Sequence, residues 1–164
     1  MGATVNLVTE PADRVLTIER VLDAPRELVF RAWTEPKHMV RWFGPRGFTT
    51  TIVAHDFRPG GTYRWCMRGP EGDAHWAQGV YREIAEPERL VMTWGPGDPS
   101  SNWADSEGNP TRPETLLTVT FEEHAGKTRL TLHQAVFESV TARDSHRDGW
   151  NSALDCLTEY LATV

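Results

Sequence analysis

The stretch from Gly47 to Gln134 constrains the fold most, because short alternating segments follow one another there with turn residues between them. In TYRWCMR, the large apolar residues Tyr63, Trp65 and Met67 occupy every second position, which predicts a strand with one apolar face. The same character recurs in FTTTIVAHDF, HWAQGVYREI, RLVMTW, TLLTVTFEE and TRLTLHQAVF. Tight turns join these segments, so we expect successive strands to pair in an antiparallel meander.

Helical patterns flank the meander on both sides. An alternating strand at Arg14 to Leu22 leads to Pro25, a favourable residue for the first turn of a helix. Two short helices are predicted after it, and the second ends at RWFGP, where Gly44 and Pro45 stop the helix. Trp42 and Phe43 therefore stand at a chain break rather than inside an element.

The C-terminal segment predicts one long amphipathic helix. Trp150, Leu154, Leu157 and Leu161 fall at i, i+4, i+7 and i+11, which places them in one stripe. Thr141 is the expected N-cap. Because Gly149 weakens a helix by roughly 1 kcal/mol relative to Ala, the regular portion is expected to begin just before Trp150.

These elements define an α+β chain: a curved seven-strand antiparallel sheet, two short helices after the first strand, and a long C-terminal helix. Residues 1–13 are expected to form an N-terminal extension. Residues 14–164 are expected to form a single domain, with a long loop at 95–114 that is rich in Gly, Pro, Ser and Asn. Because strands twist, such a sheet curls, and a cavity remains wherever side chains do not fill the space under the helix.

Composition excludes several functions. The net charge is −6, and the 17 Lys and Arg residues are scattered among 23 acidic ones, which argues against nucleic-acid binding. No apolar run approaches the roughly 18 residues of a membrane span, and no secretory signal precedes the first strand. A cytoplasmic location is the expectation.

The sequence also lacks the spacing of a metal or redox site. Cys66 and Cys156 are far apart and are interpreted as packed thiols. The six histidines include no i, i+4 pair, so no metal or other cofactor is predicted. The run Asp144-Ser145-His146 contains triad residue types, but neighbours on a helix point in different directions, and it is interpreted as a solvated helix start.

The order of motifs along the chain resembles the helix-grip superfamily called SRPBCC, which comprises START, polyketide cyclase and birch-pollen-allergen-like proteins. The motifs resemble most the branch named for the activator of the ninety-kilodalton heat-shock protein ATPase. The residues that carry this resemblance are DAPRELVFRAWTEP, RWFGP, DFRPGGTYRW, GVYREIAEPERLVMTW, TLLTVTFEE and GWNSALDCLTEYL. It implies a helix-grip fold and, in many members, a small-molecule cavity between the sheet and the C-terminal helix.

We therefore expect the chain to bind a small hydrophobic or aromatic molecule in that cavity. Trp103 is a candidate lid residue, and Gln134 shares its strand face with Leu130 and Leu132. The predicted ligand-binding residues are Trp33, Trp42, Phe43, Tyr63, Trp65, Met67, Met92, Trp94, Trp103, Phe121, Gln134, Trp150, Leu154 and Leu157.

Two other classes of function stay open. A cyclase- or hydrolase-like enzyme would use a polar pocket residue, with Gln134, His38, Glu83 and Arg82 as candidates, although Gln134 could instead bond buried backbone or water. A co-chaperone-like interaction module would show an exposed patch instead of a cavity. No catalytic residue is assigned, and neither the ligand nor the formation of a homodimer follows from the sequence.

Overall fold

The computed structural model describes residues 11–96 and 114–164. A 3-10 turn at Ala12–Arg14 precedes the first strand. The helices and strands are β1 (Leu16–Leu22), α1 (Arg26–Thr34), α2 (Pro36–Trp42), β2 (Thr49–His55), β3 (Thr62–Arg68), β4 (Ala74–Ala85), β5 (Arg89–Pro96), β6 (Thr115–His124), β7 (Lys127–Ala135) and α3 (Val140–Leu161). Gly95 and Pro96, which the sequence interpretation assigned to the loop, continue β5.

The strands form one seven-stranded sheet in the order β1-β7-β6-β5-β4-β3-β2, and every neighbouring pair is antiparallel. The first strand adds to the last one, with Leu16 opposite Gln134 and Leu22 opposite Thr128. β1 and β2 therefore form the two edges, and β2 to β7 make up the predicted meander. The α+β architecture and its two short helices after β1 are confirmed.

The inward face of the sheet carries the apolar set that the alternation predicted. Tyr63 and Trp65 in β3 are buried, as are Leu90, Met92 and Trp94 in β5. Leu117, Val119 and Phe121 in β6 and Leu130 and Leu132 in β7 complete this face. Because side chains alternate between the faces of a strand, this one set fixes which side the helices cover.

Helix α3 is one continuous helix of 22 residues. It begins earlier than expected, because Ser139 and not Thr141 is its N-cap: the Ser139 hydroxyl accepts a 3.0 Å hydrogen bond from the Ala142 amide. The expected start just before Trp150 is also wrong, since the helix runs through Gly149 without a break. The predicted stripe is confirmed, because Trp150, Leu154, Leu157 and Leu161 are all buried.

Polar contacts hold α3 against β1 and against the loop after α2. On the β1 side, the Arg20 guanidinium donates to Asp155 Oδ1 at 2.9 Å and to Asn151 Oδ1 at 3.2 Å. On the other side, the backbone amide of Arg46 donates to the Ser152 hydroxyl at 2.7 Å. The loop that follows α2 is thereby fastened to α3, which sets the position of Phe43 and Gly44.

Candidate functional site

Large aromatic side chains fill most of the space between the sheet and α3. The Trp33 ring from α1 stacks on Trp150 of α3 with centroids 5.7 Å apart, and it meets Trp42 edge-on at 5.0 Å. Phe43 lies 4.7 Å from Trp65 and 5.7 Å from Trp150. These rings come from helices, strands and the loop after α2, so the centre of the protein is closed by aromatic packing.

A buried polar chain crosses this packing. Gln134 is fully buried; its Oε1 accepts from the Trp150 indole at 2.8 Å, and its Nε2 donates to the Thr115 hydroxyl at 2.8 Å. The Thr115 hydroxyl in turn donates to the Trp94 carbonyl at 3.1 Å. Gln134 thus faces inward as expected, but its amide binds protein groups and links β7 to α3.

A cavity of about 780 Å³ opens beyond this packing, at one end of the sheet. We call it the mouth cavity. Its described lining residues are Phe43, Gly44, Pro45, Phe48, Met67, Ala74, His75, Trp76, Trp94, Thr115, Val136, Phe137, Glu138, Ala142, Ser145, His146, Gly149, Trp150 and Ala153. The volume lies within the roughly 300–1,000 Å³ range of small-molecule sites. The loop after α2, the β3–β4 hairpin and the first turns of α3 form its walls.

The structure separates the predicted ligand-binding residues into two groups. Phe43, Met67, Trp94 and Trp150 line the mouth cavity. The others belong to the packed interior and do not line the mouth cavity: Trp33, Trp42, Tyr63, Trp65, Met92, Phe121, Gln134, Leu154 and Leu157. Trp103 lies outside the described residues. Whether any of these side chains contacts a ligand stays a prediction.

The other candidate polar residues lie elsewhere. His38 Nδ1 is 2.7 Å from the Tyr160 hydroxyl and is not a lining residue. Arg82 and Glu83 are exposed on β4, and Glu83 forms a 3.5 Å ion pair with Arg89. In residues 11–96 and 114–164, no group of three or more His, Cys, Asp and Glu side chains is placed to hold a metal.

Three groups with shifted pKa values belong to the β2–β4 part of the sheet. Burial raises the pKa of Tyr63 well above its ordinary value, and its hydroxyl donates to the Thr93 carbonyl. Burial likewise raises the pKa of Tyr81. Burial lowers the pKa of His55, against the opposing effects of a hydrogen bond to the Thr34 carbonyl and of nearby Asp56. None of the three lines the mouth cavity, so these shifts reflect packing in the sheet.

Sequence reasoning missed the residues of the rim. The run Asp144-Ser145-His146 is more than a solvated helix start, because Ser145 and His146 line the mouth cavity and His146 is half-buried. The signal was present as small residues on α3: Ala142, Ser145 and Gly149 follow at i, i+3 and i+7. Small side chains on that face leave open the space that the leucines fill further along.

The fold and this opening define a helix-grip protein with a cavity at one end of its sheet, lined by aromatic and small residues. The model for the family "Activator of Hsp90 ATPase homolog 1-like protein" matches residues 23–162. The chain belongs to this family, as its motifs predicted. No curated protein sequence matches it significantly.

Solved structures agree on the fold. A protein from Chromobacterium violaceum superimposes with a TM-score of 0.76 at 25% identity, covering 89% of this chain and 95% of its own. A protein from Rhizobium leguminosarum superimposes with a TM-score of 0.69 at 30% identity, covering 92% of this chain and 95% of its own. The AHSA1 protein from Silicibacter pomeroyi superimposes with a TM-score of 0.74 at 23% identity, covering 91% of this chain and 98% of its own. In the residues that the structure describes, no helix has both the length and the apolar character to cross a membrane.

Proposed function

We propose that this protein binds a small hydrophobic or aromatic molecule in the mouth cavity. The cavity itself carries the proposal: about 780 Å³ stay open beside the Phe43, Trp94 and Trp150 rings, although aromatic side chains fill the rest of the interior. The cavity is open at the surface, and concave apolar openings of this volume are typical of small-molecule sites.

The lining supports modest affinity. A ligand that loses about 300 Å² of apolar surface gains on the order of 7 kcal/mol at about 25 cal/mol/Å². The loss of translational and rotational freedom offsets much of this gain. We therefore expect dissociation constants in the micromolar range for simple aromatic molecules, and tighter binding only for a ligand that also satisfies the polar rim.

In the part of the chain that the structure describes, two candidates of the enzyme alternative lack support, because the amide of Gln134 is occupied by Trp150 and Thr115 and His38 lies outside the cavity. The interaction-module alternative expects an exposed apolar or charged patch. In the described residues, the exposed large apolar side chains are spread over several elements: Val21, Val40, Val53, Leu116, Val140 and Val164. Scattered apolar residues of this kind are usual on a protein surface.

Calorimetric titration with indole and 2-naphthol tests the proposal. Ala142 lines the cavity on the first turns of α3, so Ala142→Trp should occupy the space with an indole ring. We expect the variant to weaken binding at least tenfold. Ala162→Trp is the matched control, because Ala162 is exposed at the other end of α3.

Binding by the wild-type protein should show a negative heat-capacity change, as apolar burial requires. If the wild type binds neither molecule at millimolar concentration, or if Ala142→Trp binds as well as Ala162→Trp, the mouth cavity is not the site.

A further inference from the structure

We propose that the mouth cavity selects aromatic molecules that carry a hydrogen-bond donor, above all an amine cation, and discriminates against aromatic carboxylates. This inference rests on the proposed function and deepens it by naming the class of ligand. It follows from the charges and the hydrogen-bonding atoms of the lining.

The charge balance of the lining is the first observation. Among the described lining residues, Glu138 carries a negative charge, and none is a lysine or arginine. Glu138 is exposed at the rim, between β7 and the N-cap of α3. A carboxylate ligand would meet this like charge without a cation to compensate for its lost hydration, whereas an ammonium group would be attracted.

The hydrogen bonds of the two lining histidines are the second observation. His146 Nδ1 lies 2.8 Å from the Ala142 carbonyl, which can only accept, so Nδ1 carries the proton. In the neutral ring, Nε2 is then a lone-pair acceptor. His75 Nε2 lies 2.7 Å from Asp73 Oδ2, which fixes the proton there and leaves Nδ1 as the acceptor. In its neutral form, each ring therefore keeps one nitrogen that can accept a hydrogen bond.

Two polar hydrogens of the lining are already committed. The Thr115 hydroxyl donates to the Trp94 carbonyl, and the Trp150 indole donates to Gln134. Aromatic side chains are prominent in the remaining wall, among them Phe48 and Trp94, and the face of such a ring attracts a cation through its quadrupole. The Glu138 carboxylate, the two histidine acceptors and the aromatic side chains thus favour a cationic ligand with a hydrogen-bond donor.

Calorimetry at pH 8 with three indoles of similar size tests the selectivity: tryptamine is a cation, indole is neutral and indole-3-acetate is an anion. We expect tryptamine to bind at least tenfold more tightly than indole-3-acetate, with indole between them. Glu138→Gln should lower the affinity for tryptamine about threefold, as the loss of a rim-exposed charge pair would, and should lower the affinity for indole by less.

Glu122→Gln is the matched control for the overall charge of −6. Glu122 is exposed on β6, seven residues from Thr115, or about 24 Å along the strand. It should change none of the three affinities. His146→Phe keeps a ring against Phe137, whose centroid lies 4.9 Å from that of His146, but removes the acceptor. We expect the wild type to bind 2-naphthol roughly fivefold more tightly than 2-methoxynaphthalene, and this preference should disappear in the variant.

The outcomes separate the two proposals. If all three indoles bind and the anion binds as tightly as the cation, the selectivity is refuted while the binding function stands. If Glu138→Gln and Glu122→Gln reduce tryptamine affinity equally, the effect is one of net charge, and the role of Glu138 is refuted. If none of the probes binds, the proposed function fails and the selectivity fails with it.

Discussion

Replacement of Gln134 by methionine tests whether the buried polar chain is structural. Methionine is unbranched and of similar length, so the core keeps its volume while both hydrogen bonds of Gln134 are lost. The Trp150 indole N–H is then left without its acceptor in a side chain that is only 5% exposed. A buried donor without a partner costs about 1–3 kcal/mol. The lost hydrogen bond from Gln134 to Thr115 costs less free energy, because the Thr115 hydroxyl still donates to the Trp94 carbonyl.

We therefore expect Gln134→Met to lower the free energy of unfolding by about 2 kcal/mol. With a urea m-value of about 2 kcal/mol/M, the midpoint of unfolding should fall by about 1 M. Equilibrium urea unfolding followed by circular dichroism measures this shift. An m-value equal to that of the wild type would show that the change reflects stability alone.

A double-mutant cycle with Trp150→Phe assigns the loss to the hydrogen bond between the two side chains. Because Trp150→Phe removes the donor, Gln134→Met should cost less stability in the Trp150→Phe background than in the wild type. The expected coupling free energy is about 1–2 kcal/mol. A loss below about 0.5 kcal/mol for Gln134→Met, or strictly additive costs, would refute the reasoning. The indole would then find another partner, for example water in the mouth cavity.

Two further predictions concern backbone and pH. Gly149→Ala should stabilise the protein by up to about 1 kcal/mol in the same urea unfolding assay, because a Cβ at this position meets only Pro45 Cγ at 3.9 Å. Gly79→Ala should destabilise the protein severely, because its Cβ would collide with the Thr93 carbonyl. The pKa of His55 in the folded protein lies below its unfolded value of about 6.5. The unfolded chain therefore binds more protons at this residue than the folded protein does. As a result, the stability that the neutral imidazole contributes is lost as the pH falls below about 6.5 towards the folded pKa. Between pH 7.5 and 5, the wild type should therefore lose more stability in urea unfolding than His55→Gln does, and equal losses would contradict this assignment.

The fold could be predicted from local patterns, because each strand buries one face and each apolar helix stripe has one partner surface. The alternation Tyr63, Trp65, Met67 and the stripe Trp150, Leu154, Leu157, Leu161 each require a single burial direction. The start of α3 was harder to place. Ser139 and Thr141 both suit an N-cap, and the cost of Gly149 is small beside the packing of a long helix, so tertiary contacts decided both points.

The candidate site was predicted less well, because the same residue types build a core and line a cavity. Trp33 and Trp94 are the same residue type, and each lies on the apolar side of its element. Trp33 nevertheless lies within the packed interior, whereas Trp94 lines the mouth cavity. Whether an inward-facing aromatic side chain is packed in the core or lines the cavity depends on the distance between α3 and the sheet. That distance depends on residues that are far apart in sequence, and alternation or helical spacing carries no information about it.

The small residues of α3 provide the physical link between the packed interior and the open mouth. From Trp150 onwards, the buried stripe fills the curve of the sheet with one tryptophan and three leucines. Before Trp150, the α3 residues on the cavity wall are Ala142, Ser145, His146 and Gly149, and all of them except His146 are small. Because Arg20 and Ser152 fix the second half of α3 in place, the first half cannot collapse inward to close the gap. The cavity is thus a consequence of where the helix is held and where its side chains become small, and Gln134 fixes Trp150 at the boundary between the two halves.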